Sequence, residues 1–589
     1  MRYLIPVIAI VPLLMSQPTQ AQTPPPDIPD DLPDPDELPD PVEETLPEPF
    51  EPLPEIPPEP DDPVELEETD PTVPGLEGPD TAPPVTFFLE DIQVVGNTIF
   101  QDEIEALVRP LEGREVAFEE LLTLRTEITR LYVSNGYISS GAFVPTNQVL
   151  NDGIVEIQVI EGDLEQVQIN GLNRLREGYV RDRITRAASP PLNVQRLEEG
   201  LQLLQVNPLL QTVDAELTAG SGPGQNVLIL DLAEADPFAI DLSLDNYRAP
   251  SIGSRQEGIT ASHLNLLGFG DRLSAGFDST DGLETYQISY TVPINSLDGT
   301  FQVRYDNSQS RIVEPDEFEE LNIRSDSETL SVGLRQPLNR SLTNEFALGI
   351  SFDVRTSRSF LTDPIEGEIP FSFSIGPEDG VSKVRVLRFS QEWVNRDIDT
   401  VLAARSQFSL GLDVFDATVD DSSDFDPASG IPPDDTGTDG RFFAWLGQFQ
   451  WVEQFSPSTL LVTRLNAQLT PDSLLPLERF SVGGIDTVRG YAQNQIVTDN
   501  AITASTELRF TVAEDLQLTP FIDAGGGWNN QTPNPDPSFL LGVGLGLRWR
   551  PTNDFSLRVD YGIPLISPGD EGDSLQENGF YISINMRPF

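Results

Sequence analysis

The segment Phe580-Tyr581-Ile582-Ser583-Ile584-Asn585-Met586 alternates without a break. Successive side chains of an extended strand point to opposite faces, so Phe580, Ile582, Ile584 and Met586 share an apolar face against polar neighbours. That pattern suits a strand with lipid on one side and a polar interior on the other. The same texture recurs backwards along the chain at 460–469, 442–451, 384–393, 347–354, 301–305, 287–292, 272–278 and 239–247. Short turns such as 295–299 and 551–554 exchange with long polar loops such as 357–381 and 416–441. Such asymmetry is expected of a transmembrane barrel. At roughly 22 residues per strand plus connection, residues 237–589 predict an antiparallel β-barrel of about 16 strands. Tyr247, Tyr286, Tyr290, Trp393, Trp451 and Trp549 fall near segment ends, where an interfacial aromatic girdle would lie.

Composition narrows the class of function. The 589 residues contain no cysteine and a single histidine, with a formal net charge of −61. Disulfides and thiolate metal sites are excluded, and no metal or other cofactor is expected. His263 is the one candidate for nucleophile–histidine catalysis, and it lies in a predicted strand, 259–266, where a polar position needs no catalytic reason. No Gly-x-x-x-x-Gly-Lys-Ser/Thr phosphate loop occurs, so the chain is read as no enzyme. Nucleic acid is not an expected partner, because neutralising phosphates needs clustered Lys and Arg.

Residues 1–21 read as a secretory signal, with Arg2, a short apolar run at 3–14 and small residues before a cut after Ala21. No later stretch approaches about 18 uninterrupted apolar residues, so an exported chain of this kind can span a membrane only as a closed barrel. Residues 22–85 are rich in Pro, Asp and Glu, and no Lys or Arg occurs between Arg2 and Arg109. Such a segment buries too little apolar surface to offset its ordering entropy and is read as a disordered linker. It is either a solvated spacer or an acidic tether for a basic partner.

Ordered sequence starts near Phe87. The region 86–162 reads as strand, helix, helix, strand, strand, with Leu121, Leu124, Ile128, Leu131 and Tyr132 on one helical face. The order repeats over 163–236, where Leu197, Leu201 and Leu204 share a helical face and 227–232 alternates. Two small α+β units of β-α-α-β-β order therefore precede the barrel.

Several stretches together resemble the two-partner-secretion outer-membrane transporters, the TpsB type of the haemolysin-activator family. The two units resemble POTRA (polypeptide-transport-associated) domains. The first carries Val95-Gly96-Asn97-Thr98, Leu131-Tyr132-Val133-Ser134-Asn135-Gly136-Tyr137-Ile138 and Val159-Ile160-Glu161-Gly162. At the barrel start stand Asp245-Asn246-Tyr247 and Asn265-Leu266-Leu267-Gly268-Phe269-Gly270-Asp271. The sharpest match is Val488-Arg489-Gly490-Tyr491, in a loop over about 471–500, with Phe521-Ile522-Asp523-Ala524-Gly525 downstream. The resemblance implies that the loop folds back into the lumen and that Arg489 pairs with Asp523 on an inward strand face. A carboxylate accepts the forked guanidinium donors in bidentate geometry, which gives that pairing a physical reason. Gly490 would let the loop tip turn tightly, and 525–527 would leave the wall without bulk where the loop approaches.

The resemblance further implies an outer-membrane protein of a diderm bacterium with its POTRA units and linker in the periplasm. Its partners would be an unfolded secreted exoprotein, outer-membrane lipid and, during insertion, the barrel-assembly machinery, which reads a terminal aromatic. Phe589 stands out of phase with the apolar face of the last strand, after Arg587-Pro588. The expected function is translocation of the exoprotein, bound first by the POTRA units, through the barrel. The alternative is an insertase of the same superfamily that assembles other barrels. A passive porin would lack the POTRA units and the loop motif, and an outer-membrane hydrolase would need a Ser–His pair.

Overall fold

The computed structural model describes residues 39–45, 67–68, 86–146, 148, 153–314, 321–363, 367–419, 437–569 and 572–588. The signal at 1–21, most of the linker and Phe589 lie outside the described residues.

Both α+β units form around cores of their own. In the first, the parallel pair Asp91–Val95 and Ile154–Ile160, with Gly141–Phe143 antiparallel beside it, packs against the helices Gln101–Val108 and Phe118–Ser134. Leu121, Leu124, Ile128 and Tyr132 are buried as the helical period predicts, while Leu131 is only partly buried at the edge. A small two-stranded antiparallel sheet, Thr86–Leu89 with Arg114–Ala117, is added to the expected order. The second unit runs Asp163–Asn170, Glu177–Ala187, Val194–Gln205, Leu210–Ala219 and Gln225–Glu234, and buries Leu197, Leu201 and Leu204.

The repeat extends to detail. Gly96 and Gly171 both have positive φ, and a Cβ on either would strike the main chain at Val159 or Leu232. Two residues beyond each contact stands a glutamate that satisfies the following turn. Glu161 accepts bonds from Thr98 N (2.7 Å), Thr98 Oγ1 (2.6 Å) and the Tyr132 hydroxyl (2.8 Å). Glu234 accepts the amides of Asn173, Arg174 and Leu175 at 2.6–2.9 Å. The three matching stretches of the first unit thus converge on one carboxylate. Burial alone would raise the Glu161 carboxyl, but the bonds from Thr98, Tyr132 and Ile99 outweigh it and hold its pKa below the ordinary value.

Among the described residues sixteen long strands close into an antiparallel barrel, from Phe238–Asp245 to Phe580–Met586. Phe580, Ile582, Ile584 and Met586 face outward, while Tyr581 and Ser583 are buried on the lumen side. The closing seam is short: Leu242–Asp245 pairs with Ser583–Met586 over four residue pairs. The Asn246 side chain prolongs it, donating to Phe580 O (2.8 Å) and accepting from Ile582 N (2.7 Å).

Three expectations need correction. Residues 357–363 are not loop but the end of a long strand, Asn344–Asp363, whose tip carries the short strand Gly367–Pro370. Tyr247 lies past the end of the first strand with its hydroxyl buried, not in a lipid-facing girdle. The linker contributes two ordered pieces. Glu67–Glu68 pairs in parallel with Glu216 and Leu217 on the edge of the second unit. Pro41–Glu44 is a short helix inside the barrel, capped by the Asp40 carboxylate on Val42 N (2.9 Å), with proline at its start. Val42 is buried among Val384, Val386, Phe442 and Leu474, an apolar contact that composition alone conceals.

Candidate functional site in the barrel lumen

The loop 470–499 joins the strands Thr459–Leu469 and Asn500–Ala513 and is almost wholly buried. It contains a short 3-10 turn, Pro476–Glu478, and a small hairpin, Phe480–Val482 with Ile496–Thr498. Val482, Val488, Tyr491 and Ile496 pack with Phe480, Ala501 and Leu540, so the loop carries its own apolar core against the wall.

Arg489 is 2% exposed. Its Nε and Nη2 fork onto the Asp523 carboxylate at 2.7 and 2.9 Å, and its backbone N donates to the same group at 3.1 Å. Its Nη1 reaches Glu507 and Asp560, each at 3.1 Å. The Phe521 ring lies 3.4 Å beneath the guanidinium, a cation–π contact in a site screened from water. The expected pair is therefore a network. Arg509 and Arg548 pair with Glu507, and Arg558 with Asp560, so four guanidiniums share three carboxylates. Each charge has partners, which a low-dielectric lumen requires. Glu507 and Asp560 carry no sequence signal beyond their lumen-side phase on alternating strands.

Phe521, Asp523 and Gly525 fall on the lumen face together, because a strand repeats every second residue. Gly490 has φ +101° and sits against the backbone of Gly562 and Ile563. Its N–H donates to the Tyr581 hydroxyl (2.9 Å), which donates in turn to Tyr491 O (2.5 Å). Tyr491 accepts from Leu541 N and Ile566 N, both at 3.2 Å. A Cβ on Gly525 would crowd Val482 and Val488, and one on Gly527 would strike Thr498. Gly526 instead faces away from the loop, toward Ser538 and Phe539. Sequence reasoning missed Gly542 and Gly562, whose absent side chains leave room for the Arg489 and Gly490 backbone.

The opposite end of the loop is held with reversed polarity. There Glu478, from the loop, accepts Arg355 Nη1 (2.6 Å) and both oxygens receive Arg388 Nη2 (2.9 Å) from the wall. Arg388 also binds Asp353 at 2.6 Å. The Pro41–Glu44 helix lies between wall and loop: Glu43 pairs with Arg479 at 2.5 Å, and Asn494 donates to Glu43 O and Glu44 O at 3.0 Å. Beside them a polar cavity of about 360 Å³ is lined by Gln302, Arg335, Ser390, Glu392 and Arg405, among others.

The family model for haemolysin secretion/activation proteins of the ShlB/FhaC/HecB kind matches residues 224–549, and that for the ShlB-type POTRA domain matches 87–162. The chain belongs to this family. It is 24% identical over 508 residues to the outer membrane transporter CdiB of Dickeya dadantii, covering 82% of this chain and 83% of that one. It is 21% identical over 521 residues to the heme/hemopexin transporter protein HuxB of Haemophilus influenzae, covering 85% and 86%. In fold it is similar to CdiB from Escherichia coli, with a TM-score of 0.64, 22% identity and coverage of 89% and 94%. The protein is an outer-membrane β-barrel transporter of the two-partner-secretion type, with its POTRA region in the periplasm.

In this transporter the stretch 265–271 is the socket for the second α+β unit. Asp271, fully buried, accepts Leu267 N (3.0 Å) and the Tyr290 hydroxyl (3.2 Å) and so shapes the turn. Gly268 O then accepts Arg176 N (3.0 Å), and the Arg176 guanidinium stacks on Phe269 at 3.7 Å. His263 Nε2 lies 3.2 Å from Arg174 Nη1, which makes it part of this junction.

Proposed function

We propose that the transporter takes up an extended segment of its secreted exoprotein on the POTRA sheets and threads it through the barrel while the 470–499 loop and the Pro41–Glu44 helix yield. The observation that carries this reading is a lumen occupied by two elements held through side-chain pairs and small apolar contacts, each separable without breaking the strand ladder. Capture by strand addition is supported by Glu67–Glu68, since the edge strand Leu210–Ala219 already receives an extended piece of this chain. The function has no catalytic step; folding of the exoprotein outside the cell would draw it through.

The absence of cysteine makes the test direct. Val482 touches the position a Gly525 side chain would take, so Val482→Cys with Gly525→Cys pins loop to wall under oxidation. Secretion of the cognate exoprotein should stop when the bond is shown formed and return on reduction. Equal secretion in both states would refute threading past a moving loop. Insertion of other barrels is favoured by one observation, the four-pair seam. Leu244→Cys with Ile584→Cys locks that seam, and it should spare secretion if the lumen is the route.

A further inference from the structure

One side of the lumen wall differs from the rest. From Gln256–Leu264 round to Arg324–Arg340, neighbouring strands point Ile259, Tyr286, Ile288 and Leu330 outward, so the alternate positions line the lumen. On Leu283–Pro293 these are Thr285, Gln287, Ser289 and Thr291, all partly exposed. The register sets Ser262, Ser274 and Ser289 in one row, and Arg304 joins that row to Ser331. The side chains of Ser262, Ser274, Ser289, Thr291 and Ser331 have no hydrogen-bond partner among the described residues. Charges on this side are few and mostly spoken for. Arg304 and Asp306 pair with each other at 2.8 Å, and buried Asp278 accepts Gln287 Nε2 at 2.7 Å. Arg272 and Arg335 stand toward the periplasmic ends of their strands. The networks around Glu478 and Arg489, which hold the loop, belong to the other strands of the wall.

The two ends of this neutral side meet what a passing chain would meet first and last. At the periplasmic end the turn 265–271 is the socket of the second POTRA unit, and Asp298 in the turn 295–299 pairs with Arg183 of that unit. At the extracellular end Ser310 Oγ donates to Pro41 O (3.4 Å) of the lumen helix. Peptide groups that leave bulk water need partners in exchange. Free hydroxyls supply them one at a time, each bond gaining little over the water it replaces. Fixed charges would instead hold side chains of opposite sign and repel those of like sign. We propose that these strands form the sliding track of the passage, along which an extended exoprotein segment of either charge sign moves from the second POTRA unit to the seat of the Pro41–Glu44 helix. The track rests on the threading reading and adds to it the side of the lumen that is used and the absence of charge selection.

Cross-linking in the cysteine-free full chain reads the route. Ser289→Cys and Ser331→Cys lie on the track, whereas Thr511→Cys and Gln517→Cys face the lumen from the far wall. Each single variant is paired with the cognate exoprotein carrying one cysteine and arrested by a folded domain fused to its C-terminus. Heat-modifiable migration shows each barrel formed, and reaction with a small maleimide shows each thiol open. A short bismaleimide should then join the exoprotein to Ser289→Cys and Ser331→Cys, with the product lost at Thr511→Cys and Gln517→Cys. Equal cross-linking from both walls, or from the far wall alone, would overturn the track and leave threading intact. No product at any of the four positions, while the unfused exoprotein is still secreted, would overturn threading itself. Ser289→Lys with Ser331→Lys, and the same pair changed to aspartate, should each slow secretion several-fold, and Thr511→Lys should not. Wild-type rates in both charged pairs would again count against the track.

Discussion

Replacing Arg489 with alanine should release the loop and leave the barrel standing. The carboxylates that Arg489 touches differ in what they keep. Glu507 retains Arg509 and Arg548, and Asp560 retains Arg558. Asp523 keeps no cation, only the Ser505 hydroxyl at 2.7 Å and the backbone N–H of residue 489 at 3.1 Å, while itself 1% exposed. Stranding one partner of a buried ion pair costs about 3–5 kcal/mol. Each 1.4 kcal/mol is about tenfold, so the detached loop should gain by a factor of roughly a hundred to a few thousand. Asp523→Ala is the milder change, because Arg489 keeps Glu507 and Asp560; about 1.5–3 kcal/mol is expected from its lost charged hydrogen bonds. The double variant should fall well short of the sum of the singles. Hydrogen exchange of amides 480–498 in the purified barrel reads the opening directly, with protection falling about 100-fold or more in Arg489→Ala. Heat-modifiable migration should be unchanged, and secretion should fall sharply. Loop protection within about threefold of wild type would refute the latch, since a difference that small is what unconnected sites show.

Glu478→Gln should loosen the other end of the loop, since it leaves Arg355 and Arg388 facing a neutral amide; exchange should rise first around 474–479, with Arg489 still docked. Gly542→Ala places a methyl group on the Arg489 carbonyl oxygen. It should therefore phenocopy Arg489→Ala in loop exchange while every charge remains. Glu161→Gln should destabilise the first POTRA unit by about 1–2 kcal/mol, the low part of the range for a partly solvated charged acceptor. Because the folded pKa of Glu161 lies below its ordinary value of 4.5, its contribution is present above that value and lost as pH falls through the folded pKa. Exchange of the Phe118–Ser134 amides should show this acid dependence in wild type and lose it in Glu161→Gln.

The sequence made the barrel legible because its wall has lipid on one side and polar lumen on the other, so alternation reports burial residue by residue. The duplicated unit was legible for the same reason, through helical faces such as Leu197, Leu201 and Leu204. Arg489 and Asp523 were found through a motif and its downstream partner in order. Glu507, Asp560 and Glu478 were not, since a charged residue in lumen phase looks like any solvated barrel position until the loop is laid over it. The Pro41–Glu44 helix was hidden differently. Asp40 followed by Pro41 and two glutamates is a sound helix start, but one buried valine in a Pro- and acid-rich stretch gives no period to read. Its order comes from the lumen and not from the segment.

Tyr581 lies in the last strand, and its hydroxyl is bonded to both Gly490 and Tyr491. The remaining parts of the latch, Glu507, Asp523 and Asp560, also follow the loop in the chain. During assembly the loop can be drawn into place early, yet its tip is completed only when the final strand has joined the sheet. A barrel stalled one strand short would hold its loop with an open bond network at Gly490. Locking of the lumen is thereby tied to the order of strand addition, so that completion of the wall and closure of the passage become one event.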